Sequence, residues 1–287
     1  MYEEHRAVGG ARSPLASVAR LQSLVLPALD FTFRAFAGRS VEGPLVLGLS
    51  GPQGCGKSTL AADLVAGFGW LGLRATCFSV DDVYLRRDEQ VALAERFPGA
   101  AIFADRGFPG THDVELGCRV LDGLSTVEPG QFVRVPSYDK SAFGGRGDRK
   151  PHVEWPEIAC PLDLVVFEGW MLGFTPAAEP SDPALAQANE FLRRYEVWHE
   201  RLGAFLHLDA AEPHFVVSWR VEAERRRRES GAPGLSDAEA EDYVRRFLPG
   251  YALWGPALRE RAPVQPSLRL VMGPDRLPYE QGSPLAV

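Results

Sequence analysis

Apolar residues recur at helical spacing between residues 15 and 37. Leu15, Val18, Leu21, Leu24, Leu29 and Phe33 fall in that register and predict one or two N-terminal helices. The rhythm then changes. PLVLGLS (44–50) is a short, β-rich apolar run, and RATCFSV (74–80), QFVRVPSYD (131–139), LDLVVFEGW (162–170), GAFLHLDA (203–210) and SLRLVMG (267–273) are further strand candidates. Helical patterns lie between them. STLAADLVAGFGWLG carries Leu60, Leu64 and Phe68 on one face. Residues 111–124 form another pattern, and residues 183–203 a third, with Leu185, Ala188, Leu192, Tyr195 and Leu202 in register. Asp182-Pro183 suits a helix start because proline fits the first helical position. Ser236 with Glu239 three residues on predicts a capping box. Strands alternating with helices indicate a mostly parallel sheet covered on both faces. Two long segments, the basic, Gly-rich KSAFGGRGDRKPH (140–152) and the Pro-rich WMLGFTPAAEPSDP (170–183), are loops of a size that is usually functional.

Bulk composition narrows the class. The chain has 287 residues, 45% hydrophobic and 24% charged, with a net charge of −7. That is enough chain for a full core, and the charge argues against a general nucleic-acid binder. Cys55, Cys77, Cys118 and Cys160 are widely spaced with no CxxC pair, which disfavours a zinc cluster and fits a reducing compartment. No apolar run approaches the ~20 residues of a membrane span. The first 20 residues hold no signal-peptide core, so the expected location is the cytoplasm. Oligomeric state is not encoded in any pattern found.

The first chemistry-bearing motif is GPQGCGKST, Gly51, Pro52, Gln53, Gly54, Cys55, Gly56, Lys57, Ser58 and Thr59. It satisfies G-x-x-x-x-G-K-[ST] between a predicted strand and a predicted helix, the context that validates a P-loop. Backbone N–H groups and the helix N-terminus would hold phosphates. Lys57 would reach the β- and γ-phosphates of ATP, and Ser58 would ligate Mg²⁺. The expected fold is therefore the P-loop three-layer α/β/α sandwich with a mostly parallel central sheet and a helical lid. Cys55 is either a redox-sensitive thiol, lowered in pKa by the helix N-terminus, or simply a small side chain.

A P-loop alone does not separate kinases from GTPases and motors. No N/T-K-x-D guanine motif is present. Glu168 ends a predicted strand at the ligand-bearing edge of a parallel sheet, where a carboxylate can hold Mg²⁺. WRVEAERRRRESGAPGLSDAE (219–239) reads as a lid. Its Arg220, Arg225, Arg226, Arg227 and Arg228 cannot all face one way on a helix. Arg220 and Arg225 are singled out to meet phosphate. Gly231 and Gly234 make a hinge-like break.

An acceptor site also has to be found. Arg suits bidentate carboxylate binding. Arg106, Arg146, Arg149 and Lys140 all come from loops predicted at the same sheet edge, and His112-Asp113 start a helix beside them. This set fits a small hydroxy acid. Tyr84, Tyr138 and Trp170 could stack on a sugar or nucleoside, so those acceptors stay open.

Taken in order, SVDDVYL (79–85), RGFPGTHD (106–113), YDKSAFGGRGDR (138–149), FEGWMLGF (167–174), WRVEAE (219–224) and FLPGY (247–251) resemble the D-glycerate 3-kinases of plant and fungal type, within the phosphoribulokinase, uridine kinase and pantothenate kinase group. The resemblance runs from about residue 44 to 255. In that family Asn-Ala more often stands where this chain has Phe108-Pro109, a departure expected to reshape the acceptor pocket. The resemblance implies transfer of the γ-phosphoryl group of ATP to a hydroxyl of D-glycerate. Asp81 would take the acceptor proton, with Asp82 supporting it by hydrogen bonding or through water to Mg²⁺. Lys57, Ser58 and Glu168 would serve nucleotide and metal. Tyr84, Arg106, His112, Asp113, Tyr138, Lys140, Arg146 and Arg149 would form the acceptor site. Rival readings are a kinase for a nucleoside, pantothenate or sugar phosphate, and a nucleotide-dependent binding protein with no small acceptor. The expected organisation is a helical extension over 1–43, a kinase domain over 44–273 and a peripheral tail over 274–287.

Overall fold

The computed structural model describes residues 18–279 apart from 41, 127, 179, 181 and 233. Leu15 and the last residues of the tail thus lie outside the described residues. In chain order the strands are β1 (Leu45–Ser50), β2 (Ala75–Ser79), β3 (Phe132–Arg134), β4 (Tyr138–Asp139), β5 (Asp148–Arg149), β6 (Glu157–Ala159), β7 (Leu164–Gly169), β8 (Ala204–Ala210) and β9 (Ser267–Met272). The α-helices are α1 (Leu26–Gly38), α2 (Lys57–Trp70), α3 (Arg87–Arg96), α4 (Val114–Thr126), α5 (Pro183–Leu192), α6 (Glu196–His199), α7 (Pro213–Glu229), α8 (Asp237–Arg245) and α9 (Leu248–Glu260).

Five strands pair in parallel in the order β2-β7-β1-β8-β9. β1 and β7 are buried along their whole length. Continuous apolar runs such as LVVF are what a sheet covered on both faces requires. Alternate residues of β7 enter opposite layers: Leu164 and Val166 join the core with Leu60, Leu64 and Phe68 of α2, while Val165 and Phe167 join Val120, Leu192 and Trp254 on the other side. This is the period-2 geometry of a strand read directly in the packing. Among the described residues no helix is long and apolar enough to cross a membrane.

Several expectations hold in detail. Asp182 caps α5 by accepting from Ala184 N–H at 2.8 Å, and Ser236 and Glu239 form the reciprocal capping box of α8. Others change. The segment read as one strand over 131–139 splits into β3 and β4, which pair antiparallel with β6 and β5 in two small ribbons outside the main sheet. Pro136 sits between them, has no N–H to donate and cannot continue a ladder. The helix expected over 183–203 breaks into α5, a 3₁₀ turn at Arg193–Tyr195 and α6. The N-terminal helix carries a π-helical turn at Leu21–Val25, and Val18 and Leu21 face solvent while Leu24, Ala28 and Ala35 face the core. The helix α9 has no clear sequence signal, because Pro249, Gly250, Gly255 and Pro256 mask it; buried Trp254 and Leu258 anchor it instead.

The tail is not peripheral at its start. The Trp219 indole donates to the Pro274 carbonyl at 2.7 Å, and Arg276 donates to backbone carbonyls of the P-loop and α7.

Phe68 joins the N-terminal helix to the sheet. It stacks on Phe33 with ring centroids 4.2 Å apart and meets Phe36 edge-on. Phe68→Ala should therefore lower the unfolding free energy by about 3–5 kcal/mol, read as a drop in denaturant midpoint.

Candidate active site

The P-loop fills the turn from β1 to α2. Gly54 and Gly56 take φ values of +79° and +98°, left-handed conformations that glycine adopts freely. Gly51 is required for another reason: a Cβ there would lie 2.8 Å from the Leu208 carbonyl oxygen. The Lys57 side chain is buried and donates to the Pro52 carbonyl at 3.0 Å. Tyr251 holds the loop from α9, accepting the Gln53 N–H at 3.2 Å and donating to the Gln53 side-chain oxygen. Cys55 is buried, and burial pushes its thiol up despite the nearby Lys57 charge. Of the two readings of Cys55, this burial favours the small side chain over the redox-sensitive thiol.

β7 pairs with β1 in a register that sets Glu168 opposite Leu49 and Gly169 opposite Ser50. That register brings Glu168 to the head of α2. The Ser58 hydroxyl donates to Glu168 Oε1 at 2.6 Å. Hydroxyl plus carboxylate is a hard-oxygen donor set that fits Mg²⁺.

β2 flanks β7 on its other side and delivers the two aspartates. Ser79 Oγ accepts the Asp81 N–H at 3.2 Å, and Asp82 Oδ2 accepts the Ser79 N–H at 2.9 Å. This capping box turns Asp82 back onto the chain and leaves the Asp81 carboxylate facing a cleft of about 570 Å³. Asp82 is not among the residues lining that cleft; of its two expected roles, the hydrogen bond to the loop is the one the geometry displays. Asp81 Oδ2 lies 2.5 Å from the Lys140 ammonium. Burial opposes ionisation of Asp81, but Lys140, with a further hydrogen bond from Tyr84, holds the carboxyl well below the usual carboxylate range. The Asp81 charge raises Lys140 in turn, against burial.

The cleft joins both halves of the expected site. Lys57, Ser58 and Glu168 stand on one side, Asp81, Tyr84, Arg106 and Lys140 on the other, and Arg220, Arg227 and Tyr243 approach from the lid region. Arg106 has a double part. Its guanidinium donates to the carbonyls of Gly145, Arg146 and Lys140 at 3.0, 2.5 and 3.4 Å, so it also folds the Gly-rich loop.

Other expected acceptor residues sit behind the wall. Arg149 is buried between Asp113 at 3.0 Å and Glu89 at 3.2 Å. Asp113 Oδ1 accepts the Leu116 N–H at 2.9 Å; both residues are structural, one as a clamp and one as a helix cap. His112 is buried beneath Tyr84, with the rings stacked at 4.4 Å, and its Nδ1 meets the Tyr195 hydroxyl at 2.9 Å. Burial lowers it to about 3, so it is neutral. Tyr138 packs edge-on against Tyr84 and under Arg106. Arg146 contributes its carbonyl to Arg106, and its side chain is outside the cleft lining. Phe108 does not line the cleft either; it stacks on Phe247 at 4.9 Å and meets Trp170 edge-on, supporting two residues that do.

In the lid, Arg225 is corrected. It pairs with Asp237 and is absent from the cleft lining. Arg226 and Arg228 are likewise tied to Glu222 and Asp237. Arg220 lines the cleft while paired with Glu224 at 2.6 Å. Arg227 lines it, is exposed and makes no ion pair among the described residues. Helical spacing explains the split, since neighbours one residue apart point about 100° away from each other. Glu224, Tyr243 and Phe247 also line the cleft and were missed. Their apolar or i,i+4 settings read as ordinary helix surface and core.

No protein-family model matches the chain. The chloroplastic D-glycerate 3-kinase of Arabidopsis thaliana is 40% identical over 226 residues, covering 77% of this chain and 50% of that protein, so the chain spans about half the length of this relative. An uncharacterized kinase of Schizosaccharomyces pombe, mug58, is 33% identical over 251 residues, covering 82% of this chain and 90% of that protein. Among solved structures, a D-glycerate 3-kinase from Cryptococcus neoformans var. grubii superposes with a TM-score of 0.81 at 29% identity, covering 88% of this chain and 97% of that one.

Two outcomes follow from the geometry. Arg227→Ala should weaken ATP binding about tenfold or more, the scale of a charge-assisted hydrogen bond, whereas Arg225→Ala should leave it unchanged; calorimetric titration compares them. The second concerns Asp81. Its folded pKa is depressed, so its ion pair contributes stability above the unfolded value of about 3.9 and loses it as pH falls through the lower folded value. NMR titration should find Asp81 ionised throughout pH 4–8. In Lys140→Met the lowering charge is gone, burial dominates, and the Asp81 pKa should rise.

Proposed function

The chain belongs to the family of P-loop kinases that contains the D-glycerate 3-kinases, and from that membership we propose that it transfers the γ-phosphoryl group of ATP to the primary hydroxyl of D-glycerate, giving 3-phosphoglycerate. The observation that carries this reading is the single cleft in which Lys57, Ser58 and Glu168 face Asp81, Arg106 and Lys140. The catalytic body in this reading is 44–273, with acceptor loops within 106–152, a lid near 219–239 and the described N-terminal helix (18–38) packed on it.

The P-loop N–H groups and Lys57 hold the triphosphate. Ser58 and Glu168 would hold Mg²⁺, which supplies charge neutralisation on the phosphate oxygens when bound. Lys57 exchanges the Pro52 carbonyl for phosphate oxygens. Glycerate brings a carboxylate that suits Lys140 and Arg106. As Lys140 shifts to that carboxylate, Asp81 is released from its ion pair. The freed Asp81 carboxylate accepts a hydrogen bond from the acceptor hydroxyl and then its proton. Its low basicity is acceptable, because phosphoryl transfer gains most from positioning and charge stabilisation. Tyr84, held against His112, donates to Asp81 and fixes its orientation. Arg220 and Arg227 balance charge on the transferring group from the lid side.

The acceptor is tested by ADP release over hydroxy acids, nucleosides, pantothenate and sugars. D-glycerate should stimulate release most strongly. Strongest stimulation by another acceptor would move the assignment to that acceptor, and stimulation by none would contradict a kinase acting on this panel. Asp81→Asn should lower kcat about 10²–10⁴-fold with the fold intact by circular dichroism, the usual range for losing a general base.

A further inference from the structure

The tail expected to be peripheral carries an arginine in an uncommon backbone conformation. Arg276 has φ +62°, in the left-handed region that favours glycine. It sits in a tight turn after β9: its N–H donates to the Gly273 carbonyl at 3.0 Å, and the Gly273 N–H donates to the Leu277 carbonyl at 2.8 Å. A residue other than glycine kept at such a position points to a role for its side chain.

That side chain is mostly buried and uses all three nitrogens. Nε donates to the Gly54 carbonyl of the P-loop at 2.7 Å, Nη2 to the Trp219 carbonyl of α7 at 2.9 Å, and Nη1 to the Glu222 carboxylate. Gly54 already lies flat on α7, since a Cβ there would come within 2.8 Å of the Trp219 carbonyl carbon and 3.0 Å of the Arg220 nitrogen. Two carbonyl oxygens thus converge at a close backbone contact, and one guanidinium satisfies both. A planar fork with fixed donor directions can do this, whereas a lysine ammonium cannot span the three acceptors in the same way.

The position of these carbonyls matters. A P-loop works by turning N–H groups toward phosphate, so its carbonyls must be held outward. In a trans peptide the Gly54 C=O and the Cys55 N–H point in opposite directions. Fixing the Gly54 oxygen from outside therefore fixes that peptide plane. The same guanidinium grips α7 one residue before Arg220 and eight before Arg227, the two arginines that line the cleft.

We infer that Arg276 is a positioning residue that locks the P-loop to the root of the lid helix, so that phosphate binding and the placement of the lid arginines are set together. The inference rests on the P-loop being the nucleotide site of the proposed kinase. It assigns the tail a part in ATP binding without contact to the acceptor.

Arg276→Gly is the informative variant, because glycine relieves the backbone conformation and removes only the side chain. Titration of ATP with Mg²⁺ into the full-length protein should give a dissociation constant raised about tenfold or more. The KM for ATP should rise with it while the KM for the acceptor stays unchanged and the melting temperature is kept. Low millimolar guanidinium ion should restore part of the affinity, and Arg276→Lys should not restore it fully. Unchanged ATP affinity in Arg276→Gly would overturn the inference. So would a loss accompanied by equal rises in both KM values, a lower melting temperature and no guanidinium rescue, which would mark a structural role alone. Failure of the wild-type protein to bind ATP would instead overturn the nucleotide-site reading beneath it.

Discussion

The register between β1 and β7 is the constraint on which the site depends. Six consecutive parallel pairs, from Leu45 with Leu164 to Ser50 with Gly169, fix where the P-loop leaves the sheet relative to Glu168. One result is the 2.6 Å contact between Ser58 and Glu168. β2 reads the same strand from its other side, with Ser79 opposite Glu168, so Asp81 emerges two residues later beside the same edge. A slip of one residue in either ladder would turn each side chain to the opposite face. The position of three chemically distinct groups thus follows from apolar packing along LVLGLS, ATCFS and LVVFEG.

Three cations of the cleft each hold a partner within the protein. Lys57 rests on the Pro52 carbonyl, Lys140 on Asp81, and Arg220 on Glu224. Each cation occupies a partner that a substrate anion can replace. This limits the cost of holding so many ionic groups in a partly desolvated space, since a buried charge left without a partner is strongly unfavourable. In the proposed mechanism it also links acceptor binding to activation of Asp81 through one lysine. The buried Tyr84, His112 and Tyr195 assembly behind Asp81 gives it a rigid backing. Neutral His112 suits that place because it adds no charge to the interior.

The sequence carried the sheet, the P-loop and the Asp81-Asp82 turn plainly, because those features are local: a buried strand reads as an apolar run, and a phosphate loop reads as glycines at fixed spacing. Side-chain direction is not local. His112, Asp113 and Arg149 belong to the right loops, yet Arg149 is spent on Asp113 and Glu89, and His112 lies under a tyrosine. The lid arginines show the same limit, since the run Arg225–Arg228 gives no sign of which member makes no ion pair among the described residues. Arg276 was invisible for a further reason. Its importance comes from contacts 222 and 57 residues away along the chain, and Gly273-Pro274-Asp275 marks a turn without showing what the arginine after it will meet. The helix α9 was hidden because proline and glycine depress helix propensity while Trp254 and Leu258 supply tertiary packing that overrides it.

Whether this cleft places the γ-phosphoryl group on a primary hydroxyl is read most directly by proton-coupled ³¹P NMR of the protein incubated with ATP, Mg²⁺ and D-glycerate. A phosphomonoester on a CH₂ carbon couples to two protons, and one on the neighbouring CH carbon to a single proton. Transfer to the primary hydroxyl should give a new triplet that grows with ADP and is lost in Lys57→Ala, in keeping with the proposed mechanism. A doublet, or no new phosphomonoester signal from folded wild-type protein, would contradict it.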